Sequence, residues 1–161
     1  MANDWFIAIA SSVITLVIKS FLDDKNTRYK IAFEKLHTER ALVIKETYKR
    51  LVSVGDDFEL YGITRQPRDL QNSLETLRLF ADYYNEHRIF FAETDAVSLD
   101  LLRDYCLKSY SQFRTSEVQE AQKDFASATD RYVKTLENFQ KEFPTLRKKI
   151  EIEFRQMIGI E

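Results

Sequence analysis

Glycine and proline are nearly missing: the 161 residues hold three glycines and two prolines, where average usage gives roughly nineteen together. Gly55, Gly62 and Gly159 are spaced too widely for a G-x-G-x-x-G turn or a G-x-x-x-x-G-K phosphate loop. Two prolines cannot punctuate a sheet of many short strands, so the expected fold class is all-α. Cysteine is scarce as well. Cys106 alone excludes an internal disulfide. With His37 and His87 it falls short of the four ligands of a structural zinc site, so neither metal nor cofactor is expected. An excess of one charge is also lacking: 24 basic residues face 26 acidic ones. No bulk field therefore favours nucleic acid, and DNA is not an expected partner.

What the chain does have is concentrated at its N-terminus. Residues 5–18 carry no charge, whereas from Asp23 onward charged residues recur every few positions. Residues 5–22 would form a helix of roughly 27 Å at 1.5 Å per residue, against a hydrocarbon core of about 30 Å, if Lys19 snorkels. The spacing thus predicts a transmembrane helix within residues 1–24 and a cytoplasmic body over 25–161. A buried core helix is the alternative. A cleaved signal peptide fits less well, because Asp4 and no Lys or Arg precedes the apolar run. Lys19, Lys25, Arg28, Lys30 and Lys35 all follow that run. By the positive-inside rule this puts the N-terminus outside and the body in the cytoplasm, as a single-pass protein; the bacterial inner membrane is what the resemblance given below implies. Trp5 and Phe6 would then sit at the membrane interface, in contact with lipid.

On a helical wheel Asp4, Ala8, Ser11, Ser12, Thr15 and Lys19 fall within an arc of roughly 100°. Such a stripe serves either as a tight helix contact or as the wall of a water-filled pore. Helices about 9.5 Å apart leave almost no lumen in a ring of four, whereas eight leave a channel of roughly 7 Å radius. Ser11, Ser12, Thr15 and Lys19 are accordingly pore-lining or helix-contact candidates, and self-association into a homo-oligomeric ring, with an octamer as one form, is expected.

The body reads as an antiparallel helical bundle continuing from the membrane helix. Residues 27–60 repeat apolar side chains at helical spacing, and Gly62 with Pro67 marks the first loop. A second helix covers residues 68–88, and a third opens with Ser98 as its N-cap. Phe90 and Phe91 fall in an irregular stretch between them and are expected to plug the core. Ser116 with Gln119 has the form of a capping box opening a fourth helix to residue 141. Pro144 then stops or kinks it, and residues 145–158 form a fifth.

Chemistry-bearing residues are few, and no catalytic residue is assigned. His37 and His87 are the obvious acid–base groups, and His37, Arg40, His87 and Arg88 are the candidates for contacting RNA. HEPN-type ribonucleases need R-x4-6-H, but eight residues separate both Arg28 from His37 and Arg78 from His87, so the motif is absent. Arg147, Lys148 and Lys149 form a basic triplet that reads as a solvated face.

The pattern Phe33-x-x-Leu36-His37-x-x-Arg40-x-x-Val43-Ile44-x-x-x-Tyr48-x-x-Leu51 resembles small bacterial proteins with one N-terminal membrane helix and a helical cytoplasmic body. His87 to Phe91 is similar to that group's NRIYL turn, and Glu153 to Gly159 to its closing EFRKLLG. Within the group the chain most resembles the accessory membrane proteins of type VI-B CRISPR systems, with their divergent HEPN-like body. The resemblance implies a non-enzymatic, ring-shaped antiviral effector. It would depolarise the inner membrane once a partner RNA-guided RNA nuclease detects phage transcripts. Two other readings stand beside it: a membrane-anchored HEPN-like ribonuclease, and an effector gated by a nucleotide second messenger.

Overall fold

A computed structural model describes residues 27–159 in full and the backbone alone of residues 2–26. It contains four α-helices: α1 (Ala2–Thr64), α2 (Pro67–Glu86), α3 (Glu93–Ala121) and α4 (Phe125–Met157), with a short 3-10 turn at Arg88–Phe90. No strand occurs among the described residues. The chain divides into two compact units, Met1–Ala41 and Leu42–Glu161, with α1 contributing to both.

In the second unit, contacts between neighbouring helices run in opposite directions along the chain. On α1 and α2, Thr64 meets Asp69 at 2.5 Å, Asp57 meets Thr76, and Arg50 reaches Leu79 O at 3.4 Å. On α3 and α4, Gln119 pairs with Arg131, Tyr105 with Phe139, and Ser98 with Glu153. On α1 and α4, Tyr48 pairs with Glu151, Phe58 with Phe139, and Gly62 with Tyr132. The unit is an up-down-up-down bundle, the arrangement that short connections impose on helices of similar length. Its core is unusually aromatic. Phe143, Phe139 and Phe58 stack in sequence at 4.9 Å between centroids, and Tyr61 meets Phe113 edge-on at 5.0 Å. Nearer the 3-10 turn, Phe91 packs on both Tyr84 and Phe154. Phe91 is buried and Phe90 partly so, as their place in the sequence suggests.

Two of the scarce glycines sit inside α1 rather than at its end. A Cβ on Gly55 would lie 2.4 Å from Phe143 Cε1, and one on Gly62 2.5 Å from Leu136 Cδ1. Their missing side chains let α4 approach α1 closely, which outweighs the helix propensity they cost. The first loop therefore falls at Arg65 and Gln66, with Arg65 left-handed at φ 51° and Pro67 opening α2. Arg65 is held by its guanidinium, which lies 4.2 Å over the Tyr132 ring and 3.3 Å from Glu120.

Three expected boundaries are displaced. Helix α3 starts at Glu93, where the Asp95 carboxylate accepts from Ala92 N at 3.2 Å, and the expected cap Ser98 instead donates to Glu153 at 3.0 Å. Ser116 lies buried within α3 and returns its hydroxyl to Phe113 O at 2.7 Å, because Cys106, Ser109, Phe113 and Ser116 continue one core-facing row. The true break follows at residues 122–124, where Lys123 is left-handed and Asp124 accepts from Ser127 N. Pro144 does not end α4. It faces solvent, so water can serve the carbonyl it leaves unpaired, while Phe139, Phe143, Ile150 and Phe154 are buried on either side of it. Five expected helical segments after the anchor thus become the remainder of α1 and three long helices.

Among the described residues, no helix is long and apolar enough to cross a membrane. The expected span at residues 5–22, with the side chains of Trp5, Phe6, Ser11, Ser12, Thr15 and Lys19, lies outside the fully described residues.

Candidate functional site

The four candidate RNA-contact residues belong to different compact units: His37 and Arg40 to Met1–Ala41, His87 and Arg88 to Leu42–Glu161. His37 is exposed and meets Phe33 edge-on, with ring centroids 6.0 Å apart. Arg40 is half-buried. His87 ends α2 with Nδ1 2.9 Å from Tyr83 O, and its ring stacks at 4.2 Å on Tyr83. A carbonyl partner makes Nδ1 the protonated nitrogen of the neutral ring. Arg88 is anchored through one nitrogen: Nη1 donates to Tyr84 OH at 2.9 Å and to Asp100 Oδ2 at 3.0 Å. Asp100 in turn holds Arg103 at 3.0 Å. Burial first, then the Asp100 charge, raises the Tyr84 phenol above its ordinary range. This corner fastens the end of the bundle through Nη1 of Arg88.

Two features stand out instead. The first is the apolar run of α1 in the first unit. Residues 27–39 are all exposed, with Tyr29 at 64%, Phe33 at 66% and Leu36 at 56%. Their spacing of four and three residues places them on one face of the helix, and the periodicity that suggested a core face does not bury them. Lys35 and Glu39 form a loose ion pair at 4.0 Å, and Thr38 donates to Glu34 O.

The second is an apolar depression of about 350 Å³ in the bundle, lined by Ile44, Lys45, Tyr48, Phe154, Arg155 and Ile158 together with Glu151. Tyr48 OH donates to Glu151 Oε2 at 3.2 Å, and Arg155 Nη2 to Glu151 Oε1 at 2.8 Å. The Arg155 bond, then that of Tyr48, holds the Glu151 carboxyl below the ordinary carboxylate range. Burial, reinforced by Glu151, raises the Tyr48 phenol. These polar groups satisfy one another around an apolar floor, an arrangement suited to packing. Sequence reasoning could not find it, since Tyr48 and Glu151 lie 103 positions apart.

Cys106 is buried in α3, where loss of hydration alone raises its thiol far above the ordinary value. It is therefore held in the unreactive protonated form. No group of three or more His, Cys, Asp or Glu among the described residues is arranged to hold a metal ion. No family model, curated protein or solved structure matches the chain.

Proposed function

We propose that this chain is a membrane-anchored, self-associating effector that works by assembly and by perturbing the membrane rather than by catalysis. The observation that supports it best is the exposed face of Tyr29, Phe33 and Leu36, on the same helix as the uncharged run of residues 5–18 and C-terminal to it. Burying each such side chain is worth about 1.5–3 kcal/mol relative to leaving it in water. Neighbouring copies of the same helix, held parallel by a common membrane, supply that burial while the membrane reduces the entropic cost of meeting. In this reading residues 1–24 span the inner membrane with the N-terminus outside, and Trp5 and Phe6 sit at the interface. Ser11, Ser12, Thr15 and Lys19 face the axis or the adjacent helix of a ring. The setting in antiviral defence, alongside an RNA-guided RNA nuclease, rests on the resemblance at Phe33 to Leu51, at the His87 turn and at the closing Glu153 to Gly159 segment. An anchored HEPN-like ribonuclease is less well supported, because the R-x4-6-H spacing is absent from the sequence.

Two measurements test this reading. The mass of the detergent-extracted chain is expected to be that of an oligomer, falling toward monomer in Phe33→Ser with Leu36→Ser; a monomeric parent chain would sink the proposal. Thr15→Leu with Lys19→Leu is expected to keep the protein in the membrane yet abolish ion leak, and an unchanged leak would remove the pore.

A further inference from the structure

The arginines of the bundle are mostly neutralised on carboxylates, as at Arg65, Arg78, Arg88, Arg103, Arg114 and Arg155. Arg131 differs. Its Nε donates to the neutral amide oxygen of Gln119 at 3.0 Å, and among the described residues no ion pair engages its terminal nitrogens. The guanidinium is thus oriented without being discharged. It opens onto a polar cleft of about 480 Å³ between α3 and α4, together with Gln112, Gln119, Lys134, Asn138 and the acid Asp130. Hydroxyls of Ser127 and Thr135 complete the lining; that of Thr135 is spent on Arg131 O at 2.7 Å.

We propose that this cleft binds a nucleoside monophosphate, with the phosphate on Arg131 and the edge of the base against Gln112 and Asn138. An arginine fork matches phosphate oxygens two at a time, and the volume lies in the range of small-ligand sites. Lys134 is paired with Asp130 at 2.8 Å, so these three charged side chains carry a net charge of +1, which suits one phosphate better than a polyphosphate chain. The register sets the length. Gln119 lies opposite Arg131; seven residues back on antiparallel α3 and seven forward on α4, Gln112 and Asn138 share the next level, roughly 10 Å away at 1.5 Å per residue. That separation suits a phosphate at one end and a base at the other. Each primary amide offers a donor and an acceptor side by side, the pattern that pairs with a base edge. The site is independent of the membrane reading, and neither stands on the other.

The test is calorimetric titration of the full chain in detergent with AMP, GMP, CMP, UMP and inorganic phosphate. At least one nucleotide is expected to bind saturably, and more tightly than phosphate alone. Arg131→Gln should weaken it at least about tenfold, the loss of one charged bidentate contact, with the melting temperature unchanged because Arg131 is exposed and holds no ion pair. Asn138→Ala should weaken the nucleotide and leave phosphate untouched. Absence of saturable binding at millimolar nucleotide, phosphate binding as tightly as every nucleotide, or affinity indifferent to Arg131→Gln would each overturn the proposal.

Discussion

Helix α1 presents two stretches with the same grammar and opposite fates. Residues 29, 33 and 36 repeat apolar side chains every three or four positions and are 56% to 66% exposed, whereas Leu51, Val54, Phe58 and Tyr61 do so and are at most 1% exposed. The difference is not in the helix. In the second stretch α2 and α4 run alongside, and two glycines bring α4 close; the first stretch belongs to a unit whose described residues are α1 alone. Periodicity therefore states that a face must be covered, without stating by what, and the uncovered face is where a partner is to be sought.

Substitution at matched positions separates the two stretches most sharply. Phe58→Ala removes a ring stacked at 4.9 Å on Phe139 and should cost about 3–5 kcal/mol of unfolding free energy in denaturant titration. Phe33→Ala should change that quantity by less than about 0.5 kcal/mol while lowering the oligomer mass. Equal losses at both positions would show that the first stretch is already buried in the isolated chain.

A smaller effect distinguishes the glycines. Gly55→Ala drives a methyl into the buried Phe143 ring, for which overpacking of about 1–3 kcal/mol exceeds a gain in helix propensity of about 1 kcal/mol. Gly62→Ala meets only the end of the half-buried Leu136 side chain and should be nearly neutral. Thermal melts of the two variants that coincide would contradict a rigid aromatic contact at Gly55.

The smallest effect at neutral pH grows on the alkaline side. Burial raises the phenols of Tyr61, Tyr84, Tyr105 and Tyr132 in the second unit. Above about pH 10 the unfolded chain releases phenolic protons that the folded bundle retains, so stability falls as pH rises and is unaffected by this source below that value. Tyr61→Phe should reduce the slope of melting temperature against pH; an identical slope would mean that Tyr61 ionises freely in place.

Much of the bundle could be read in advance. The shortage of glycine and proline foretold helices, and the amphipathic rows of residues 68–88, together with Phe91, sit where their spacing suggested. The failures are instructive. Ser116 and Gln119 have the residues of a capping box, yet packing of Phe113 and Ser116 carries α3 straight through them; Gln119 is used to orient Arg131 on another helix. Ser98 was similarly persuasive and is claimed by Glu153, 55 positions away. Local signals mark where a helix can end, and tertiary burial selects among them.

Of the candidate site residues, the sequence could name His87 and Arg88 but not that Asp100 and Tyr84 anchor the arginine through Nη1. By itself the sequence determined that this protein is helical, lacks phosphate loops and an internal disulfide, and has one long uncharged run near its start, because these follow from composition and from spacing along one chain. Only the tertiary structure decided which apolar face is covered, why Gly55 and Gly62 belong inside a helix, and that Arg131 stands oriented without a counter-charge. Each of these depends on which residue of a second helix comes within a few ångströms, and the order of residues along one helix carries no such distance.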